Sequence, residues 1–250
     1  MVKKNSLMKK YWPAVAGGAI AGHTACRGFA MRIVAARDHE ELSRLTADIL
    51  VSELIQRPSP LFSCITGRTP RRAYQVFSER VRAERIPADG LRHVQLNEWV
   101  GLGSHDDGSF AHVLEDMLLG PLGVTPDRRI TFNGLATDLY GECRRVQQAL
   151  THEGPVDLMV LGLGVNGHVA FNEPGGQLSP NAHLAELTHA TREAHLPKEG
   201  DLQDQPEDGM TLGFADIMAA KRVVLVVSGA HKAAQVARLR QQDGEPCKRL

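Results

Sequence analysis

From Met31 onward, short apolar runs alternate with segments whose apolar side chains recur every three or four positions. Arg32–Ala35 reads as a strand. Asp38 then fits an N-cap, with Glu41 three residues on completing a capping box. The helix that follows carries Leu42, Leu45, Ile49 and Leu54 near one face. Leu61–Ile65 reads as a second strand, ending in Thr66-Gly67-Arg68-Thr69-Pro70. There Thr69 suits a cap and Pro70 the first position of a helix whose buried stripe is Ala73, Val76, Phe77 and Val81. The alternation continues with a strand at His93–Leu96, a Gly/Asp-rich loop over 101–108 and a helix over Phe110–Leu119. A strand at Arg129–Phe132 and a helix over Leu139–Leu150 follow. Asp157–Leu163 and Arg222–Val227 are continuous apolar runs, as expected of strands buried on both faces of a parallel sheet. A helix over His231–Arg240 comes last. This pattern predicts a doubly wound α/β fold, a mostly parallel sheet flanked by helices. Ligands of such sheets sit beyond the carboxyl ends of the strands. Four polar or glycine-rich runs are expected to meet there: Thr66–Pro70, Asn97–Asp107, Gly164–Gly175 and Ser228–Lys232.

Composition narrows the partners. The chain has 250 residues, 42% of them hydrophobic and 23% charged, which suits one large α/β domain over 31–250. Acidic and basic side chains number 29 each, so no bulk charge draws it to nucleic acid or an anionic membrane, and an anionic ligand must be held by local groups. Cys26, Cys64, Cys143 and Cys247 lie far apart in no metal-ligand spacing and read as free thiols of a reducing cytoplasm. Lys3, Lys4, Lys9 and Lys10 ahead of the apolar run Trp12–Ala21 have the outline of a signal peptide. Pro13 and Gly17–Gly18 break that run, so residues 1–30 read as an extension of a cytoplasmic protein that begins in effect at Met31. No later run approaches the ~20 apolar residues a bilayer requires.

Three constellations carry candidate chemistry. At Thr66–Pro70 a strand end followed by a helix start aims backbone N–H groups at a positive helix terminus, a natural phosphate seat, although a plain strand-to-helix turn has the same look. Gly162-Leu163-Gly164-Val165-Asn166-Gly167-His168 superficially resembles a dinucleotide fingerprint. It lacks the acidic residue about 20 positions on after a regular helix, and it continues into the turn-rich Phe171-Asn172-Glu173-Pro174-Gly175. His168 followed five residues later by Glu173 suits an acid/base pair, while no third ligand falls at a metal spacing. Arg192 and Lys232 lie at the edge of the proposed crevice, where a phosphate needs a cation.

These runs together resemble the glucosamine-6-phosphate deaminase/isomerase family, and within it the galactosamine-6-phosphate isomerases. The resemblance extends from about Met31 to Arg240 through TGRTP at 66–70, LNEWVGL at 96–102, GLGVNGHVAFNEPG at 162–175, THATR at 188–192, MTLG at 210–213 and SGAHKA at 228–233. It implies a Rossmann-like fold of the deaminase/6-phosphogluconolactonase type, a small sugar-phosphate substrate and no metal or organic cofactor. Thr66, Gly67, Arg68, Thr69, Gly167, Arg192 and Lys232 would bind substrate. His168 would open the pyranose ring, oriented by Glu173 and by the residue two before it, here Asn166. Asn97 stands where the family has the aspartate that moves a proton from C2 to C1, and an amide is no base. Its neighbour Glu98 would point the other way in an extended segment. Asn166 is the residue of galactosamine-type relatives, and Arg68 replaces a common glycine. Family chains also continue into a closing strand beyond Leu250, and some assemble while others do not. Two further readings are a lactone hydrolase, with His168 activating water, and a sugar-phosphate binder without turnover.

Overall fold

The computed structural model describes residues 32–175, 178–195 and 206–241, together with the strand backbones Ala25–Cys26 and Phe29–Ala30, which pair antiparallel. The rest of the expected extension lies outside the described residues, as do Cys247 and the end of the chain.

Five parallel strands form the central sheet: β1 (Leu61–Cys64), β2 (Arg92–Val94), β4 (Arg129–Ile130), β5 (Leu158–Gly162) and β8 (Val223–Val226), in the order β8-β5-β1-β2-β4. Helix α1 (His39–Gln56) precedes β1, α2 (Arg68–Ala83) and α4 (Leu139–Glu153) lie between strands in sequence and α7 (Ala233–Gln241) follows β8, which makes the mostly parallel α/β architecture expected from the alternation. β5 is the buried centre: Leu158, Met159, Val160 and Leu161 are all within the core. β8 differs from the expectation of a strand buried on both faces. It lies at the sheet edge, and Val223 and Leu225 are exposed.

Several local expectations shift. Arg32–Ala35 pairs with no strand among the described residues, and Ile33 and Val34 are exposed. Asp38 caps α1 through its carboxylate to the Glu41 N–H at 2.7 Å, but Glu41 reaches back to the Arg37 N–H, one residue beyond a capping box. The buried stripe of α1 runs through Ala47, Leu50, Val51 and Leu54 with Ser43 and Thr46, leaving Leu42, Leu45 and Ile49 half-buried. Ser43 and Thr46 can enter the core because their hydroxyls donate to the carbonyls of His39 and Leu42. Helix α2 starts at Arg68, two residues earlier than expected. Gly67, at φ +132°, is its N-cap, and Pro70 occupies the first turn, where a missing N–H costs nothing. Its stripe of Ala73, Val76, Phe77 and Val81 is buried as expected.

A second, three-stranded antiparallel sheet was not anticipated. β3 (Asn97–Trp99), β7 (Asp208–Thr211) and β6 (His183–Glu186) pair in the order β3-β7-β6. The run 97–107 therefore begins in strand, with Asn97 and Glu98 in the extended segment expected for them. Trp99, Phe110 and Phe171 interlock between this sheet and the loop after β5, with ring centroids 4.8–5.6 Å apart. Gly209 must be glycine for this: a Cβ there would sit 2.4 Å from the Phe171 ring. The stack fixes the loop that follows β5 against β3 and β7.

Candidate active site

The expected strand ends do come together. Thr69 Oγ1 lies 2.9 Å from Ser228 Oγ, joining the turn after β1 to the turn after β8. Gln235 of α7 donates to the Val165 carbonyl at 3.0 Å, tying the second of these to the loop after β5. The Phe171 N–H donates to Thr211 Oγ1 at 3.4 Å, and Thr211 is the register partner of Asn97. The described residues also leave two cavities of about 290 Å³ around the start of β1, β2 and β4. Their charged walls are closed by internal ion pairs such as Arg92–Glu153 and Lys221–Asp157, the latter at 2.8 Å.

The geometry of the loop after β5 fixes the tautomer of His168. Asn166 Oδ1 accepts from the His168 backbone N–H at 3.0 Å, while its Nδ2 donates to the acceptor-only Glu173 carboxylate at 2.8 Å. Both ends of the amide are thereby assigned by partners that cannot reverse roles. His168 Nδ1 lies 2.7 Å from that same Oδ1, so Nδ1 must carry the proton and Nε2 is the basic nitrogen. Thr191 Oγ1, fully buried, is 2.9 Å from Nδ1 on the other side. The ring lies flat over Gly164, where a Cβ would come within 2.3 Å of the imidazole. Burial, and then the positive charge of Lys232, hold the His168 pKa below the ordinary imidazole value, against the opposing pull of Glu173. His168 is therefore neutral near pH 7. Burial pushes the Glu173 carboxyl up, but hydrogen bonds from Thr191, Asn166 and the Thr188 backbone bring it below the usual carboxylate range. The result is a relay from an ionised carboxylate through an amide to an oriented, neutral imidazole.

Thr188 and Thr191, which hold Glu173 and His168, escaped sequence reasoning; their only signal was the THATR run itself. They stand at the start of α5 (His189–His195). The same helix carries Arg192, whose guanidinium pairs with Glu207 at 3.4 Å. Lys232 ends a 3₁₀ turn over Ala230–Lys232. Burial, and then the nearby Arg68 guanidinium, lower its pKa. Two cations thus face each other where α2 begins, the arrangement an anion relieves. Thr69, expected to cap the helix, spends its hydroxyl on Ser228, and the Thr66 hydroxyl is buried with no partner among the described residues.

Asn97 is buried on β3. Glu98, its neighbour, is sequestered more firmly than alternation alone would require. It accepts from Gln95 Nε2 at 2.7 Å and from the backbone N–H groups of Trp99, Phe110 and Ala111 at 2.8–2.9 Å. The last two are the first N–H groups of α3 (Phe110–Leu114), so Glu98 serves as an internal cap for a helix end. Burial raises its pKa against those four donors. Cys64 and Cys143 are buried free thiols, as expected, with burial raising their pKa values to about 12 and about 11.

Comparison with known proteins gives the family of the chain. The chain is 32% identical over 209 residues to glucosamine-6-phosphate deaminase 1 of Bacillus subtilis (strain 168), covering 84% of this chain and 86% of that one. It is 31% identical over 203 residues to the glucosamine-6-phosphate deaminase of Clostridium beijerinckii, covering 81% and 84%. Among solved structures, a monomeric glucosamine-6-phosphate deaminase superposes with a TM-score of 0.82 at 30% identity, over 86% of this chain and 90% of the other. The 6-phosphogluconolactonase of Trypanosoma brucei shares the fold at a TM-score of 0.59 and 20% identity, over 78% and 81%. The family described as glucosamine-6-phosphate isomerases/6-phosphogluconolactonase matches residues 51–250, and the chain belongs to it.

Proposed function

We propose that this protein binds a hexosamine 6-phosphate, opens its pyranose ring through His168 and carries it toward the keto-hexose 6-phosphate and ammonia, with the proton transfer at C2 limited by Asn97. The observation that carries this reading is the Glu173–Asn166–His168 relay, which holds an imidazole neutral with its proton on Nδ1. A base in that state can take the proton of a sugar hydroxyl and return it to the ring oxygen. The phosphate would lie against Thr66, Gly67, Arg68 and Thr69 at the start of α2, held also by Arg192 and Lys232, with the Gly167 backbone beside the sugar. Because Asn166 is the residue of galactosamine-type relatives, galactosamine 6-phosphate is the favoured epimer, with glucosamine 6-phosphate the alternative. No metal or organic cofactor takes part in this scheme. Phosphorylated sugars do not cross bilayers unaided, which makes the cytoplasm the expected compartment.

Restoring a carboxylate tests the reading. Ammonia release from both epimers should be slow in the natural chain and rise about 10²-fold or more in Asn97→Asp, the usual contribution of a positioned general base. Equal, robust rates in both versions would remove Asn97 from the position of the base. A second reading is hydrolysis of a sugar lactone 6-phosphate, supported by the shared fold of the lactonases and by the same neutral imidazole acting on water. Turnover of 6-phosphogluconolactone with no ammonia from either amino sugar, even in Asn97→Asp, would favour it.

A further inference from the structure

His168 Nδ1 has a second oxygen neighbour besides Asn166, the hydroxyl of Thr191 at 2.9 Å. Thr191 is completely buried, so that hydroxyl must find its partners within the protein. It stands in the first turn of α5, three residues after Thr188, and the two hydroxyls lie 3.2 Å apart. Thr188 Oγ1 is also 3.1 Å from the Glu173 carboxylate. A hydroxyl has one hydrogen and rotates to place it. The ionised carboxylate only accepts, and hydrogen bonds to a charged group are the stronger ones, so the Thr188 hydrogen goes to Glu173. The contact between the hydroxyls is then made with the hydrogen of Thr191. That hydrogen points away from the imidazole toward Thr188 and Glu173, where it helps to lower the carboxyl pKa. What Thr191 offers His168 is therefore a lone pair.

Resting on the hexosamine-phosphate reading above, we infer that Thr191 is a second positioning residue for the ring-opening base: its hydroxyl oxygen shares the Nδ1 proton with Asn166 and holds the tautomer from the other side. Asn166 is then one of two supports, and the proton stays on Nδ1 when either is removed. The second support also acts once the base has worked. When Nε2 takes a sugar proton, the imidazolium that forms is opposed by burial and by the charge of Lys232. An acceptor on Nδ1–H that itself donates toward the ionised Glu173 favours that charge. Only the oxygen of Thr191 enters this account, not its shape.

Nitrogen-15 NMR of His168 reads which ring nitrogen carries the proton, with no substrate present. The natural chain, Asn166→Leu and Thr191→Val should each keep the proton on Nδ1, and the double variant should lose that preference. A proton moved to Nε2 in Asn166→Leu alone overturns the inference, because Thr191 then donates to the ring. The kinetic test uses the Asn97→Asp version, in which ammonia release is expected to be faster. There Thr191→Val should lower kcat by about threefold to tenfold, the range for one hydrogen bond, leave KM unchanged and move the low-pH limb down. Thr191→Ser should restore both. Valine copies the outline of threonine, so a residue that only packs leaves kcat, the pH limb and the tautomer of the double variant unchanged, and that result also overturns the inference. If no version turns over either amino sugar, the hexosamine reading falls, and the tautomer series still decides whether Thr191 supports His168.

Discussion

One amide governs what His168 can do. A carboxylate at position 166 would hold the Nδ1 proton more strongly and stabilise the imidazolium. Asn166 orients the ring without adding charge, and the nearest negative charge stays one side chain away on Glu173. With its pKa already below the ordinary imidazole value of about 6.5, His168 should remain a competent base as pH falls through that value. Activity, read as kcat/KM for ammonia release, should hold level below pH 6.5 before declining. In Asn166→Asp the two carboxylates would share a proton, bringing the charge one side chain nearer the imidazole. The low-pH limb should then move up by about one unit. A limb that stays put or moves down would contradict the relay. The four residues of this relay and of the base position were legible in the sequence because they sit in one uninterrupted motif or beside another. Thr191 and Glu207 were not, since a threonine facing an imidazole and a glutamate facing Arg192 are set only once α5 and β7 have folded together.

At the scale of elements, periodicity located the parallel strands and their helices well and the antiparallel layer not at all. The sequence HLAE of β6 and DGMT of β7 has neither apolar alternation nor β-branched enrichment, and these strands are held by pairing with each other, by the pairing of β7 with β3 and by the aromatic stack. The stripe of α1 was misplaced by one position because hydroxyls that bond their own helix are admitted to the core, which a count of apolar residues does not register. His93 on β2 is a polar residue that the sheet buries completely; its Nε2 accepts from the Cys64 N–H at 3.2 Å. Burial lowers its pKa to about 3, so folded His93 stays neutral where the unfolded chain binds a proton. Stability from this group is present in full above about pH 6.5 and is lost progressively as the pH falls toward 3. Between pH 6.5 and 5 the loss should be about 2 kcal/mol. His93→Gln keeps an acceptor for the Cys64 N–H and removes the titration. Urea unfolding at both pH values should show the variant losing about 2 kcal/mol less than the natural chain. Equal losses would mean that His93 is already protonated in the fold.

Over the whole molecule, charges cancel, so affinity for an anion has to come from where the chain crosses itself. The proposed phosphate seat is assembled from the turn after β1, the helix carrying Arg192 and the 3₁₀ turn carrying Lys232, segments separated by more than 100 residues of sequence in the first case. Only the folded chain presents them together, and a ligand held by all three should stabilise the fold against unfolding as a unit. At about 100 times its dissociation constant a sugar phosphate adds about 2.7 kcal/mol. For a chain of this size that corresponds to a rise in melting temperature of about 5–10 °C. Because the like charges of Arg68 and Lys232 already work against each other, an anion between them gains from both, and Lys232 should titrate higher in the complex than alone. Lys232→Ala and Arg192→Ala should each remove most of the thermal shift. Raising the salt concentration should weaken it in the natural chain, since part of the seat is open to solvent. The same sugar without its phosphate should give little stabilisation at any concentration used. If Lys232→Ala keeps the full shift, or if the unphosphorylated sugar matches the phosphorylated one, the anion is not held where α2 begins.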